Sequence, residues 1–239
     1  MKVITKKISN DYVPNFQEGE IILINKPLKK TSFDVVHKIR KAVNVKKVGH
    51  AGTLDPMATG LLIVCTGKKT KEITTLSKLN KTYSGIISLG KTTPSFDLET
   101  DFDSEKDFDY VTEDMIYKVR DTFLGLIEQI PPMYSAIKKN GKALYKLARK
   151  GIEVEREPRK IFIYKFDINK IDLPDIYFEI TCSSGTYIRV IAKDFGDKLG
   201  CGAYLKALRR TQIGDYCIED AFEINEFFDY LKSLSFSVN

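Results

Sequence analysis

A single carboxylate in a run of small residues is the first feature with chemical promise. The stretch GHAGTLDPMATG, Gly49 to Gly60, holds one acidic residue, Asp55, between glycines and Pro56 and just before an apolar run. The proline pushes the backbone of Asp55 toward extended conformations. The glycines let a bulky ligand approach the main chain. An ionised carboxylate held this way can act as nucleophile or base without a metal. Asp-Pro is also a common turn opener, so the residues alone leave both readings open.

Other chemistries fit less well. CTGKKT resembles the end of a phosphate-binding loop, but six residues separate Gly60 from Gly67 where four are required, and Lys69 stands where Ser or Thr should. A Ser-His-Asp or Cys-His site needs a histidine base with a nucleophile elbow. His37 lies among basic helix residues and is expected at the surface; His50 borders the glycine-rich stretch without such an elbow. A glycosidase needs two carboxylates together, and Asp55 has no acidic neighbour in its own stretch. Cys65, Cys182, Cys201 and Cys217 form no CxxC pair, which argues for reduced thiols and against structural zinc.

Charge is segregated along the 239 residues, whose net charge is +6. Lys26 to Lys47 holds eight basic residues and one acidic; Lys138 to Lys160 holds nine basic and three acidic. Seven acidic residues gather between Asp97 and Asp109. Such a distribution suggests a polyanion-binding face. No apolar run approaches the roughly 18 residues of a membrane span, and MKVITKKISN lacks the apolar core of a signal peptide. A cytoplasmic protein without membrane contact is expected.

The elements that must position Asp55 follow from periodicity. EIILINKP reads as a buried strand stopped by Pro27. TSFDVVHKIRKAV reads as a helix capped by Thr31 or Ser32, with Val35, Val36, Ile39 and Val43 on one side. LLIVCTG and KTYSGIISLG read as strands, residues 97–109 as a loop or mobile insertion, and TEDMIYKVRDTFLG as a helix capped by Thr112. QIPPMYSAIKKNGK is expected to be irregular because adjacent prolines break helix and sheet. KALYKLARKG reads as a short helix that places Lys142, Lys146, Arg149 and Lys150 on one side. KIFIYKFDI and IYFEITCS read as paired strands, GTYIRVIAKDFGDKLG as a helix from a Thr186 cap to Gly200, and INEFFDYLKSLSF as a last helix. The mixture suggests an α+β fold.

Several long stretches, in order, resemble one family. GHAGTLDPMATGLL resembles the catalytic motif of the TruB family of tRNA pseudouridine synthases. LINKP resembles its early strand and lysine-proline turn, and KTY its substrate-tyrosine motif. IPPMYSAIKKNGKALYKLARKG resembles its RNA-binding insertion, and CSSGTYIRVIAKDFGDKLGCGAYLKALRR its late catalytic block. The resemblance implies a mixed, mostly antiparallel sheet flanked by helices, with residues 1–239 as one catalytic domain and a basic insertion at about 131–160. It implies isomerisation of uridine 55 in the T loop of tRNA to pseudouridine. No atom is gained or lost, so no cofactor and no metal is implied, and a monomer is expected.

Site residues are carried over from the resemblance alone. Asp55 matches the catalytic aspartate, and Arg189 in TYIR the arginine that pairs with it and holds it ionised. Tyr83 in KTY matches the tyrosine that stacks on the uracil and could take a proton. Tyr187 and Leu208 match further pocket residues, His50 a histidine near the flipped base, and Lys26 a lysine beneath the motif. Lys142, Lys146, Arg149 and Lys150 are expected to meet phosphates. The chain departs from the family at Pro94, where aspartate is usual, at Thr100, where glycine is usual, and at Asn25, where aspartate is common. It stops about thirty residues after ALRR, so the family's C-terminal PUA domain is expected to be missing. The competing expectation is a tRNA-binding or RNA-folding protein without chemistry.

Overall fold

A computed structural model describes residues 2–9, 11–139 and 141–236. The chain divides into two units, residues 1–83 with 208–239, and residues 84–207.

The first unit is built on strands buried on both faces, which is why their sequences read as unbroken apolar runs. Strand β1 (Ile21–Lys26) sends Ile22 and Ile24 to one side and Ile21 and Leu23 to the other. Helix α1 (Ser32–Val43) packs Val35, Val36 and Ile39 against the first side. Thr31, not Ser32, is its cap: the Thr31 hydroxyl accepts the Asp34 N–H at 3.0 Å and the Asp34 carboxylate accepts the Thr31 N–H at 2.8 Å. Strand β2 (Val48–Ala51) runs antiparallel to β3 (Ala58–Thr66), which also runs antiparallel to β1. The short helix α2 (Ile73–Ser77) leads to β4 (Lys81–Leu89), which begins in this unit and ends in the other.

The second unit continues with a two-residue ladder of β5 (Lys91–Thr92) with β6 (Ser104–Glu105), the latter inside the otherwise looped acidic segment. Helix α3 (Glu113–Asp121) is capped by Thr112, whose hydroxyl accepts the Met115 N–H. Then come β7 (Gly125–Gln129), β8 (Lys138–Lys139), β9 (Lys142–Ala143), α4 (Leu144–Ala148), β10 (Arg159–Asp172), β11 (Asp175–Cys182) and α5 (Ile188–Leu199). Strands β7, β10 and β11 are antiparallel neighbours, as the paired-strand reading required. Ile176, Phe178, Ile180 and Cys182 alternate inward from β11. Phe123, just after α3, joins Phe166, Phe178 and Phe195 of β10, β11 and α5 in a cluster with ring contacts of 5.8–6.2 Å.

Strand β12 (Ala203–Ile213) starts in the second unit and ends in the first, where it runs parallel to β3 through Leu208 and Ala58. Strand β13 (Tyr216–Cys217) and helix α6 (Ile224–Phe236) complete the first unit, α6 packing Phe227 beside α1. The sheet is mixed and mostly antiparallel with flanking helices, the expected α+β class. Among the described residues no helix is long and apolar enough to cross a membrane.

Three local expectations need correction. Thr186 does not cap α5; Tyr187 holds that position, and the Thr186 hydroxyl donates to the Ser183 carbonyl at 3.0 Å. QIPPMYSAIKKNGK is not wholly irregular, because β8 and β9 pair as a small hairpin after the prolines. The helix expected over KALYKLARKG is only the five residues of α4. Lys142 therefore stands on β9 and Arg149 is the C-cap, so Lys142, Lys146, Arg149 and Lys150 share no helix face, although all four are exposed. Gly141, at φ +77°, turns the chain into a hairpin where helical spacing alone suggested an earlier start.

Candidate active site

Asp55 sits in the turn that joins β2 to β3, and the turn is tied down at every step. Gly52 occupies φ +82°, a conformation that suits glycine. The Arg210 guanidinium donates to the carbonyls of Gly52 at 3.0 Å, Thr53 at 3.5 Å and Leu61 at 2.8 Å. The Ser32 hydroxyl accepts the Leu54 N–H at 2.9 Å and donates to the Leu54 carbonyl at 3.2 Å. After Asp55, the Ala58 N–H donates to the Asp55 carbonyl and the Lys29 N–H to the Pro56 carbonyl. Asp55 itself is half-buried. A structural turn opener does not need three anchors on the residues around it, so this geometry favours a carboxylate held for use.

Close approach of two strands makes the anchoring possible. At Gly60, φ +109°, an added Cβ would lie 2.3 Å from the Arg210 carbonyl oxygen. Only glycine lets β3 and β12 meet there, and that contact delivers the Arg210 side chain beneath the turn. Leu208 lies on the same strand opposite Ala58, and its carbonyl accepts the Thr59 hydroxyl at 3.4 Å. Leu208 is thereby set beside the start of β3.

Two ionisable groups, Lys26 and His50, lie close to the turn. Lys26 is fully buried, its ammonium donating to the carbonyls of Pro27 at 3.0 Å and Lys30 at 2.6 Å. Burial pulls its pKa down to about 8; the Asp55 carboxylate opposes that fall and the Arg210 charge adds to it. His50, on β2, is half-buried, and burial first and the Arg210 charge second lower its pKa, so its neutral form is favoured. Tyr83, on β4, is buried at 7% exposure. Nearby, the Lys81 ammonium donates to the carbonyls of Ser77 and Leu79, both at 2.6 Å, fixing the start of β4. The first unit thus brings Asp55, Lys26, His50 and Leu208 around one turn.

The second unit holds Tyr187 and Arg189 at the start of α5. Both ends of the buried Gln129 amide grip the main chain of Tyr187: the Tyr187 N–H donates at 2.8 Å and the Tyr187 carbonyl accepts at 3.1 Å. Arg189 is 2% exposed. It donates to the Tyr134 carbonyl at 2.6 Å and the Ser95 carbonyl at 3.3 Å, and lies 5.6 Å from the Tyr187 ring centre. The loop carrying Pro94 and Thr100 is internally braced. The Ser95 hydroxyl donates to the buried Asp97 carboxylate at 2.7 Å, and the Thr100 hydroxyl accepts the Ser95 N–H. Its place here is to carry a carbonyl for Arg189. Arg149 pairs with Glu99 of the same loop at 3.0 Å.

Arg210, Ser32 and Gln129 are the functional supports that sequence reasoning missed. Each acts through main-chain groups far away in sequence. The only local hint is a polar residue at a position the strand or helix pattern would bury. Among the described residues, no group of three or more His, Cys, Asp or Glu side chains is placed to hold a metal ion.

Known proteins resemble this chain over most of its length. Residues 40–188 match the family model described as TruB family pseudouridylate synthase (N terminal domain), and residues 189–234 that of the tRNA pseudouridylate synthase B C-terminal domain. The chain is 47% identical over 224 residues to the tRNA pseudouridine synthase B of Flavobacterium johnsoniae, covering 91% of this chain and 98% of that one. It is 49% identical over 220 residues to the protein of the same name from Chlorobium chlorochromatii, covering 90% and 86%. Among solved structures, a chain of a Cbf5-Nop10-Gar1 complex matches with a TM-score of 0.69 at 29% identity. That match covers 92% of this chain but only 60% of the other, so this chain spans under two thirds of that solved relative.

Proposed function

The chain belongs to the TruB family of pseudouridylate synthases, and from that premise we propose that it isomerises uridine to pseudouridine at position 55 in the T loop of tRNA. The observation that carries the proposal is identity of nearly half the residues over 98% of a relative bearing the name tRNA pseudouridine synthase B. The anchored turn around Asp55 supplies the physical reason.

The target nucleotide leaves its stack, the bond from uracil N1 to the sugar breaks, the base turns, C5 bonds to the same sugar carbon, and C5 loses a proton while N1 gains one. Asp55 is the carboxylate that adds to the sugar or the base and is later released. Arg189 is its counter-charge, an assignment that rests on the match of TYIR to the family motif. The Tyr83 ring stacks on the uracil. Such stacking is worth roughly 1–3 kcal/mol per base and offsets part of the cost of extrusion. Tyr187 and Leu208 complete the pocket, and neutral His50 donates or accepts a hydrogen bond near the base. Lys26 fixes the Pro27–Lys30 turn and faces the Asp55 carboxylate from beneath. Lys142, Lys146, Arg149 and Lys150 meet phosphates, which positions RNA without reading its sequence. The chain works as one catalytic domain and a monomer in the cytoplasm, without cofactor.

The test uses unmodified tRNA and a pseudouridine assay at the T loop. The wild type converts the target, whereas Asp55→Asn binds tRNA and converts none. A wild type that binds without converting makes the chain a binding protein; an Asp55→Asn variant at full rate removes Asp55 from the chemistry.

A further inference from the structure

Exposed cations in this chain commonly take a carboxylate partner. Lys7 pairs with Asp220, Lys118 with Asp114, Lys165 with Glu179 and Lys232 with Asp229. The stretch from Lys29 to Lys41 departs from that habit. Among the described residues, no carboxylate lies within ion-pair distance of Lys29, Lys30, Lys38 or Lys41. On α1, Asp34, His37, Lys38 and Lys41 follow i, i+3, i+4, i+7 spacing and are all exposed, so they share the outer side. The one carboxylate there, Asp34, is already committed to the Thr31 N–H. Arg40 turns inward instead, donating to the Val48 carbonyl at 3.0 Å.

Lys29 adds an independent observation. Its backbone lies at φ +59°, in the left-handed region where a side chain crowds the following carbonyl and glycine does not. Its N–H donates to the carbonyl of Pro56, the residue after Asp55, and its side chain is exposed. A non-glycine residue held in such a conformation beside a candidate catalytic turn points toward function. The chain places a cation there, within the same turn whose Pro27 and Lys30 carbonyls are fixed by Lys26. Phe33, in the first turn of α1, is 63% exposed.

We infer that the Pro27–Lys30 turn and the outer side of α1 form a track for the RNA sugar-phosphate backbone that leads onto Asp55. The inference rests on the reading of this chain as a tRNA pseudouridine synthase and names a part of that substrate's binding surface. The twelve residues of α1 span about 18 Å. Free ammonium groups along that length release counterions from the RNA on binding. Ammonium groups already paired with carboxylates contribute less.

The experiment is a tRNA-binding titration between 50 and 200 mM salt, with single-turnover pseudouridine formation at saturating tRNA. Three proteins are compared: the wild type, a triple variant with Lys29→Gly, Lys38→Gln and Lys41→Gln, and a control with Lys118→Gln, Lys165→Gln and Lys232→Gln. Both variants lose three charges. The triple variant is expected to bind more weakly and to flatten the slope of log K against log salt by about 2 to 3. The control is expected to keep the wild-type slope. Lys29→Gly alone is expected to weaken binding without lowering Tm, because glycine accepts that φ; this separates lost contact from lost folding. Wild-type slope and affinity in the triple variant, with pseudouridine still formed, would overturn the track and leave the enzymatic reading standing. A flattened slope in a protein that makes no pseudouridine would uphold the track and remove the enzymatic reading.

Discussion

The Arg210 guanidinium donates to the Gly52 carbonyl at 3.0 Å, joining two residues 158 positions apart in sequence. Through this contact and those to Thr53 and Leu61, a side chain 1% exposed holds the approach to Asp55. Precise placement of a reacting group is worth several powers of ten in rate, and displacements of about 1 Å can cost a hundredfold. On the proposed role of Asp55, Arg210 bears on stability and chemistry together.

Replacing Arg210 with Met leaves three carbonyls without their donor. Of the three, the bond to Leu61 is buried, and a buried orphan costs about 1–3 kcal/mol, so urea unfolding should register a loss of about that size. Pseudouridine formation should fall further than the folded fraction accounts for. Arg210→Lys should recover little, because a single ammonium cannot reproduce the fork of the guanidinium. Full stability and rate in the Met variant would show that the turn holds itself.

Lys26 gives the chain a pH signature. Its pKa falls from 10.5 in the unfolded chain to about 8 in the folded one. Between those values the unfolded chain holds a proton that the folded chain has released, so this residue makes stability rise with pH from about 8 to 10.5. The gain over that window is about 3 kcal/mol at 1.36 kcal/mol per pH unit. Other groups also titrate there, so the measurement is the difference between wild type and Lys26→Met. That difference should climb in favour of the wild type across the window and stay flat below it. A flat difference throughout would mean that Lys26 is not desolvated.

Gln129 presents a third case. Gln129→Leu should remove the side-chain acceptor of the Tyr187 N–H and one of the donors to its carbonyl at the start of α5, lowering thermal stability and slowing single-turnover conversion. Gln129→Glu keeps the acceptor for the N–H but loses the donor to the carbonyl, and should fall between the two. Differential scanning calorimetry and the pseudouridine assay read these effects. An unaltered conversion rate in the Leu variant would show that Tyr187 needs no such hold.

What could be read from the sequence was local. The Thr31 cap, the stripe of Val35, Val36 and Ile39, and the doubly buried runs of β1 and β3 follow from neighbours a few residues apart, and each took its expected form. The glycine-rich turn was legible for the same reason. The supports were not. Arg209 and Arg210 are adjacent and alike in type, yet one is exposed and the other buried. Which is which depends on the pairing of β12 with β3 and on the missing Cβ of Gly60. Gln129 meets a partner 58 residues ahead, and no periodicity reaches that far. The helix over KALYKLARKG was misjudged because i, i+4 spacing of lysines fits a helix even where Gly141 closes a hairpin.

The four thiols give each unit its own stopwatch. Cys65 in the first unit and Cys182 and Cys201 in the second are buried, while Cys217 is partly open to solvent. Burial lifts the Cys65 pKa to about 12, so its reactive thiolate is scarce until the surrounding strands part. An alkylating reagent followed by mass spectrometry therefore times how often each interior opens. Matching capture rates for Cys65 and Cys182 would reveal one cooperative unfolding event, and unequal rates two.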